Sequence, residues 1–255
     1  VVVYRVLRGI TSGLVREVPL QANSEVLQCC IAYNEYGGFC VPLSSRHRPA
    51  ARAVLSGNVW ERPTIEYITS RHIAGDVIHA GTYFGDFLPA ISRAVPNGSC
   101  VWAFEPNPEN FRCALITCII NNLSNVKLFN AALSDSIGTA MLRVRDSCGR
   151  ALGGASRIGT PVSQGEESEF VGVETTALDE VIPEDRPIFL IHLDIEGHEM
   201  AALSGARRIL RRWKPHLILE TLPKERWLSE NLLPLGYKLV GKVCDNYIFS
   251  TSANM

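Results

Sequence analysis

No apolar run in this chain is long enough to cross a membrane. Neither charge is in excess: 25 Lys and Arg stand against 26 Asp and Glu, a net charge of −1. That balance leaves no electrostatic footprint for nucleic acid. The densest basic cluster, Arg207, Arg208, Arg211, Arg212 and Lys214, falls in the last turns of an expected helix, where cations suit the helix dipole. No Cys-x-x-Cys pair occurs among the eight cysteines, and Cys100, Cys113 and Cys118 lie on apolar segments. They read as small buried hydrophobes, not as a disulfide frame or a zinc site. No signal-peptide pattern is visible in a chain that opens on Val1, and a cytoplasmic location is the default expectation. What is present is ordinary for a globular protein: 255 residues, 46% hydrophobic and 20% charged. That length allows one α/β domain with embellishments, or one domain plus a small N-terminal part.

The stretch Gly75-Asp-Val-Ile-His-Ala-Gly-Thr-Tyr-Phe-Gly-Asp86 organises the rest. Asp76 to Ala80 reads as a buried strand, Gly81 and Gly85 bracket a turn, and Phe87 to Val95 is the helix that follows. Such a turn brings helix N–H groups over the strand end. A second strand, Cys100-Val-Trp-Ala-Phe-Glu105, ends in an acid about twenty residues on, the βαβ layout of a nucleotide-binding half with a carboxylate for a ribose diol. The middle glycine of Gly-x-Gly-x-x-Gly is missing, which disfavours a pyrophosphate and hence a dinucleotide. S-adenosylmethionine (SAM), with a ribose and an adenine but no phosphate, suits the layout better.

Residues 1–59 read as an N-terminal extension, with a β-hairpin formed by Glu25 to Tyr33 and the segment after Tyr36-Gly-Gly-Phe39. Ser44 to Arg52 reads as a connector. Trp60 to His72 has helical spacing; its Glu61 and Glu66 read as a solvated face or as part of a lid over the ligand site. Asn107 and Pro108 suit the cap and first turn of a helix that runs to Asn121-Asn122. Val126 to Leu133 and Gly138 to Val144 are strands, and Phe170 to Thr175 is a strand at the sheet margin. Between them, 149–165 is a Gly- and Ser-rich loop, expected to be a mobile flap near the substrate. Pro187 to Asp194 is the most hydrophobic strand and breaks into Asp194-Ile-Glu-Gly-His-Glu199, then a helix from Met200 to Trp213. Pro215 to Glu220 repeats the plan of buried strand and terminal acid. Lys224 to Leu233 is a helix, and Tyr237 to Val243 with Asn246 to Ser250 forms a closing hairpin. The order predicts a doubly wound seven-stranded α/β sheet with an antiparallel last strand over 60–255, its ligand outside the carboxyl ends of the strands.

The turn at 79–85, Phe104-Glu-Pro-Asn107, Asn130-Ala-Ala-Leu-Ser134 and Leu193-Asp-Ile-Glu-Gly-His-Glu199 together resemble the FkbM-type SAM-dependent methyltransferases over roughly 60–222. The resemblance implies a class I methyltransferase (Rossmann-like) fold and methylation of hydroxyl oxygens on sugars or secondary metabolites. Two positions depart from the family pattern: His79 stands where the family usually has Asp, and Tyr83 where it has Asn. The Asp commonly helps hold the methionine end of SAM, a task Asp86 could share.

The expected cofactor site comprises His79, Ala80, Gly81, Thr82, Tyr83, Gly85 and Asp86 on the turn, Glu105, Pro106 and Asn107 after the second strand, Asn130, Ala131 and Ala132 beside the adenine, and Asp194. Glu105 is expected to accept both ribose hydroxyls. Asn130 is equally readable as a strand-to-loop turn. Methyl transfer to a hydroxyl needs alignment and removal of a proton. Asp194 faces either the methyl or the SAM amino group, unless it merely caps the helix that follows; Glu196 and His198 are candidates for the base. Asp194 and Glu220 end neighbouring strands and are two potential ligands for Mg²⁺, a minority reading. The leading function is a SAM-dependent O-methyltransferase on a small-molecule acceptor, with no nucleic-acid or membrane partner. The alternatives are a SAM-binding protein without turnover and an NAD-linked oxidoreductase. Oligomeric state is not legible.

Overall fold

The computed structural model of the protein describes residues 2–4, 26–161 and 169–251. The other residues of the N-terminal extension before Val26, and the 162–165 end of the expected flap, lie outside the described residues. A three-residue strand β1 (Val2–Tyr4) is followed by the hairpin β2 (Cys29–Asn34) and β3 (Gly37–Pro42). The hairpin turns at Glu35-Tyr36, where the Asn34 side chain accepts the Tyr36 N–H at 2.9 Å. It docks on the wound domain through polar groups: Cys40 N–H donates to Thr117 Oγ1 at 3.0 Å and Gly38 N–H to Asn121 Oδ1 at 3.1 Å.

The expected connector over Ser44 to Arg52 is partly helical. A 3₁₀ turn at Leu43–Ser45 leads into α1 (Pro49–Leu55). Pro49 opens the first turn, and Ala50, Ala51 and Val54 form a buried stripe that the two flanking prolines and the basic residues disguised. The next helix, α2 (Arg62–Thr69), is shorter than the sequence suggests. Glu61 before it takes a left-handed φ of 45°, so Trp60 and Glu61 belong to the approach.

The wound domain then builds as β4 (Asp76–Ala80), α3 (Leu88–Ala94), β5 (Val101–Phe104), α4 (Pro108–Ile120) and β6 (Val126–Phe129). All five residues of β4 are buried. Val77 packs on one face with α2, α3 and α4, and Ile78 on the other, so the strand is covered on both faces. Asp76 at its start is fully buried and accepts from Cys100 N–H at 2.8 Å, Trp102 Nε1 at 2.7 Å and Arg186 Nε at 2.8 Å.

The strand expected over Val126 to Leu133 splits. After β6 the Asn130 amide donates to the carbonyls of Glu105 and Pro106, turning the chain out of the main sheet. Ala132 and Leu133 form β7 in a second sheet with β8 (Gly138–Arg143), β9 (Arg157–Ile158) and β10 (Phe170–Thr176), in the order β7-β10-β8-β9. The strand expected at the sheet margin, β10, is thus an inner strand of this separate sheet. Alternation along it fitted either place.

A short helix α5 (Leu178–Val181) precedes the central strand β11 (Ile188–Leu193). The single helix expected over Met200 to Trp213 is two, α6 (Glu199–Ser204) and α7 (Arg207–Arg212). Asp179 accounts for the break: its carboxylate caps α7, accepting Arg208 N–H at 2.7 Å and Ile209 N–H at 3.2 Å. Gly205 lies so close to the Ser134 carbonyl that a Cβ there would stand 2.1 Å from it. The chain closes with β12 (His216–Leu219), α8 (Glu225–Asn231), β13 (Tyr237–Val243) and β14 (Asn246–Thr251).

The main sheet runs β1-β6-β5-β4-β11-β12-β14-β13. From β6 to β12 every pair is parallel, and β14 is antiparallel to both its neighbours. This is the seven-stranded wound sheet with an antiparallel last strand, and β1 adds an eighth strand beside β6. Strand order reverses between β4 and β11, so a crevice opens above Ala80 and Leu193.

Candidate functional site

Above β4 the chain makes a tight turn with three left-handed residues, Gly81 (φ 81°), Tyr83 (φ 51°) and Gly85 (φ 85°). Gly81 is required by contact: a Cβ there would sit 1.7 Å from the Asp194 carbonyl oxygen on the neighbouring strand end. The turn hangs from β5, since Gly81 and Thr82 N–H both donate to the Phe104 carbonyl at 3.1 and 3.3 Å. Thr82 is buried and its hydroxyl turns back to the His79 carbonyl.

Glu105 ties this turn to the next helix. It is 4% exposed; one oxygen accepts Tyr83 N–H at 2.7 Å and the other accepts Asn107 N–H at 2.9 Å. Burial pushes its carboxyl up to about 8, against the downward pull of those donors. Asn107 in turn caps α4 by accepting Glu109 N–H at 3.0 Å.

Tyr83, on the strained φ, points to the N-terminal segment. Its hydroxyl lies 2.6 Å from Ser45 Oγ, and a Cβ on Gly153 would fall 2.7 Å from that hydroxyl. Gly153 and Gly154 of the expected flap therefore pack directly on the ring. Asn110 donates to the Gly153 carbonyl and Asn107 to Ser156 Oγ, fastening the same loop over the crevice.

His79 is 2% exposed and in register with His192 on β11. Their Nδ1 atoms are 3.0 Å apart, and both rings stack with Phe87. Both Nε2 atoms are buried without a partner. Burial pushes His79 well below the ordinary histidine range and His192 down to about 4, so both rings are neutral near pH 7.

Two clefts meet at this edge, sharing Gly81, Gly154 and Asp194. The first, about 450 Å³, is walled by Ala80, Phe104, Glu105, Pro106, Ala131, Ala132, Leu133, Leu142, Ser156, Ile158, Ile195 and His198. The second, about 740 Å³, takes in His79, Tyr83, Asp86, Phe87, Glu196 and Glu220 with Arg48, Trp60 and Glu61. Of the residues expected at the site, Thr82, Gly85, Asn107 and Asn130 line neither cleft and act as supports. His198 faces Ser134 Oγ at 3.4 Å on the first cleft, while Glu196 and Glu220 stand on the second.

Asp194 and Glu220 end the neighbouring parallel strands β11 and β12 with their carboxyls in contact. Burial, then repulsion by Glu220 and a hydrogen bond to it, hold Asp194 well above the usual carboxylate range. Glu220 also accepts Glu196 N–H at 3.2 Å. Burial raises Glu196 and Glu61, and pushes Asp86 up to about 7. Among the described residues no group of three or more His, Cys, Asp or Glu is arranged to hold a metal ion.

Sequence reasoning missed Arg48, Trp60 and the apolar wall from Leu142 and Ile158. Glu61, read in sequence as part of a solvated helix face or of a lid over the ligand site, lies just ahead of α2 and lines the second cleft. Gly153-Gly154 was the better clue, because paired glycines in a long loop invite close packing.

A wound sheet with this strand order, a glycine turn over its switch point and an acid held at the end of the second strand has the class I SAM-dependent methyltransferase fold. The chain belongs to the FkbM methyltransferase family, for the model of the methyltransferase FkbM domain matches residues 79–234. Among solved structures, the methyltransferase FkbM from Methylobacillus flagellatus KT is similar at 17% identity and a TM-score of 0.47, over 69% of this chain and 43% of that one. The chain thus spans less than half the length of that protein. A SAM-dependent methyltransferase from Aquifex aeolicus matches at 12% identity and 0.42, over 74% and 88%. A tRNA (uracil-54, C5)-methyltransferase from Pyrococcus abyssi, in complex with S-adenosyl-L-homocysteine, matches at 10% identity and 0.42, over 87% and 43%. No curated protein matches the chain. Among the described residues no helix is long and apolar enough to cross a membrane.

Proposed function

We propose that this chain transfers the methyl group of SAM to a hydroxyl oxygen of a small molecule. The observation that carries the reading is the junction of the two clefts at Gly81 and Asp194, with Glu105 in one and a carboxylate pair in the other. Bound SAM supplies an electrophilic methyl carbon on a sulfonium. Glu105 would accept the ribose hydroxyls, its orientation set beforehand by Tyr83 and Asn107 N–H. Ala131, Ala132 and Leu133 would border the adenine, on a chain path that Asn130 fixes through the Glu105 and Pro106 carbonyls. Asp86, His79 and Arg48 lie where the methionine end would reach, and Arg48 would pair with its carboxylate. Gly154 lines both clefts, and its loop would help to shield the junction from water.

The Asp194–Glu220 pair is positioned to take the acceptor proton. Burial and the neighbouring Glu220 hold Asp194 well above the usual carboxylate range, which suits a proton acceptor, and Asp194 adjoins Gly81. Glu196 N–H donates to Glu220, and His198, on the first cleft, would lie on the adenine side. The near-zero net charge supports a small molecule over a nucleic acid. The test is transfer of label from methyl-labelled SAM to a panel of sugars, phenols and aliphatic alcohols, with and without EDTA. Labelled methyl ether that survives EDTA is the expected product. Label on no hydroxyl of any class would defeat the proposal.

A further inference from the structure

The second cleft gathers five carboxylates, those of Glu61, Asp86, Asp194, Glu196 and Glu220. Among the described residues none of the five has an ion-pair partner. Elsewhere buried Asp76 and Glu169 pair with Arg186 and Arg143, half-buried Asp179 pairs with Arg208, and buried Glu105 and Glu199 accept backbone N–H groups. Arg48 is the one arginine or lysine in the wall among the described residues. Desolvated like charges raise one another's energy, and a cation in the cleft would relieve the repulsion.

Three further features point to an occupant. Glu61 and Glu196 both sit on left-handed backbone, φ 45° and 55°, a strain that non-glycine residues rarely carry. Glu61 is nonetheless held: its Oε2 accepts from Thr64 Oγ1 and Asn246 Nδ2, both at 3.0 Å. His79, 2% exposed, lies against the same cleft with Nδ1 engaged by His192 and Nε2 without a partner. Its ring is neutral and cancels none of the carboxylate charge. Trp60, 39% exposed, offers an aromatic face in the same wall, the surface on which ammonium groups settle.

On the reading proposed above, SAM brings one sulfonium and one ammonium to the Gly81–Asp86 turn and Asp194. Glu61, Glu196 and Trp60 are left over. We infer that the methyl acceptor is a protonated amino alcohol, whose ammonium group is held by Glu61 and Glu196 against the face of Trp60 while its hydroxyl meets the Asp194–Glu220 pair. In the transfer the hydroxyl oxygen bonds to the methyl carbon. The carbon–sulfur bond breaks with its electron pair left on sulfur, and the hydroxyl proton passes to the carboxylate pair. The ammonium nitrogen, lacking a lone pair, is not methylated.

The full chain is saturated with S-adenosylhomocysteine and titrated calorimetrically with three matched pairs: ethanolamine against ethylene glycol, glucosamine against glucose, and tyramine against 4-ethylphenol. In at least one pair the amine should bind about tenfold or more tighter than its neutral counterpart, and added salt should weaken it. Glu61→Gln and Glu196→Gln, each close in shape to the original, should lower that affinity about tenfold while the S-adenosylhomocysteine affinity holds. Equal or tighter binding of the neutral member in all three pairs would overturn the inference, as would unchanged amine affinity in both variants. Stoichiometric Mg²⁺ binding that displaces the amines would overturn it too. A protein that does not bind S-adenosylhomocysteine at all would instead refute the proposed function, so the two failures are distinct.

Discussion

In the first cleft the acid is met by the chain's own donors: Glu105 receives Tyr83 N–H on one oxygen and Asn107 N–H on the other. In the second, Glu61, Asp194, Glu196 and Glu220 have no ion-pair partner among the described residues, and Arg48 is the one arginine or lysine in the wall. Both clefts are built on the same row of strand ends. The difference lies in when each site's electrostatics are completed. Glu105 is positioned by folding, which suits a ligand that never changes. On the inference above, the acidic cleft would be completed by what binds there, which suits a site that must fill, react and empty.

Breaking the second cleft at the proposed Asp194–Glu220 proton acceptor gives the largest expected effect. Asp194→Asn should lower kcat by about a thousandfold with S-adenosylhomocysteine affinity within a few fold, because a proton acceptor is lost while a similar shape remains. Under the same assay His198→Ala should cost less than about tenfold, since its Nε2 faces Ser134 on the other cleft. Equal losses in the two variants would move the base to His198.

A remote change sharpens the comparison by affecting the fold and neither cleft. Arg186→Ala strands a fully buried Asp76 and should cost about 3–5 kcal/mol of stability. Cofactor affinity in the variant should be unchanged at temperatures where it stays folded, by chemical denaturation and calorimetry together. Gly81→Ala strikes the wall shared by both clefts. Its Cβ must displace the Asp194 carbonyl from a φ of 81°, and a loss of about 2–4 kcal/mol with weakened binding is expected.

The smallest effect is in pH. Glu105 is raised to about 8 and Asp86 to about 7, so the stability their protonated forms give is full below the unfolded carboxylate range and is lost as pH rises through these values. His192, lowered to about 4, acts oppositely: its contribution is present above the unfolded histidine value of 6.5 and is lost as pH falls toward 4. Above pH 6.5 only the decline from the acids remains. The ligand-free melting temperature should therefore fall by several degrees from pH 6.5 to 8.5, and Glu105→Gln should flatten the fall. A melting temperature that rises over that interval would contradict the assignment.

The wound sheet was legible because its signals are local and strong. Largely apolar strands over Asp76 to Ala80 and Ile188 to Leu193 fit central positions, and Glu105, Asp194 and Glu220, each following a strand, mark the ligand edge. The second sheet was hidden because Asn130, one residue, redirects a continuous β pattern by donating to two carbonyls of a segment far away in sequence. The helix break at Gly205 was hidden for a similar reason, its cap Asp179 being 29 residues upstream of Arg208. His79 showed in sequence as a departure from the family pattern, but its partner His192 lies inside an apolar strand and emerges only from the register of β4 and β11. Glu61 and Trp60 reach the cleft through a left-handed backbone step that no periodicity reveals.

The most direct measurement is a calorimetric titration of S-adenosylhomocysteine into the wild-type chain and into Glu105→Ala. One site per chain in the wild type, weakened by about a hundredfold or more in the variant, is the predicted result, since the ribose acceptor and the anchor of the Tyr83 turn are lost together. Undiminished binding in the variant would contradict the claim that the edge between β4 and β5 holds the adenosyl group.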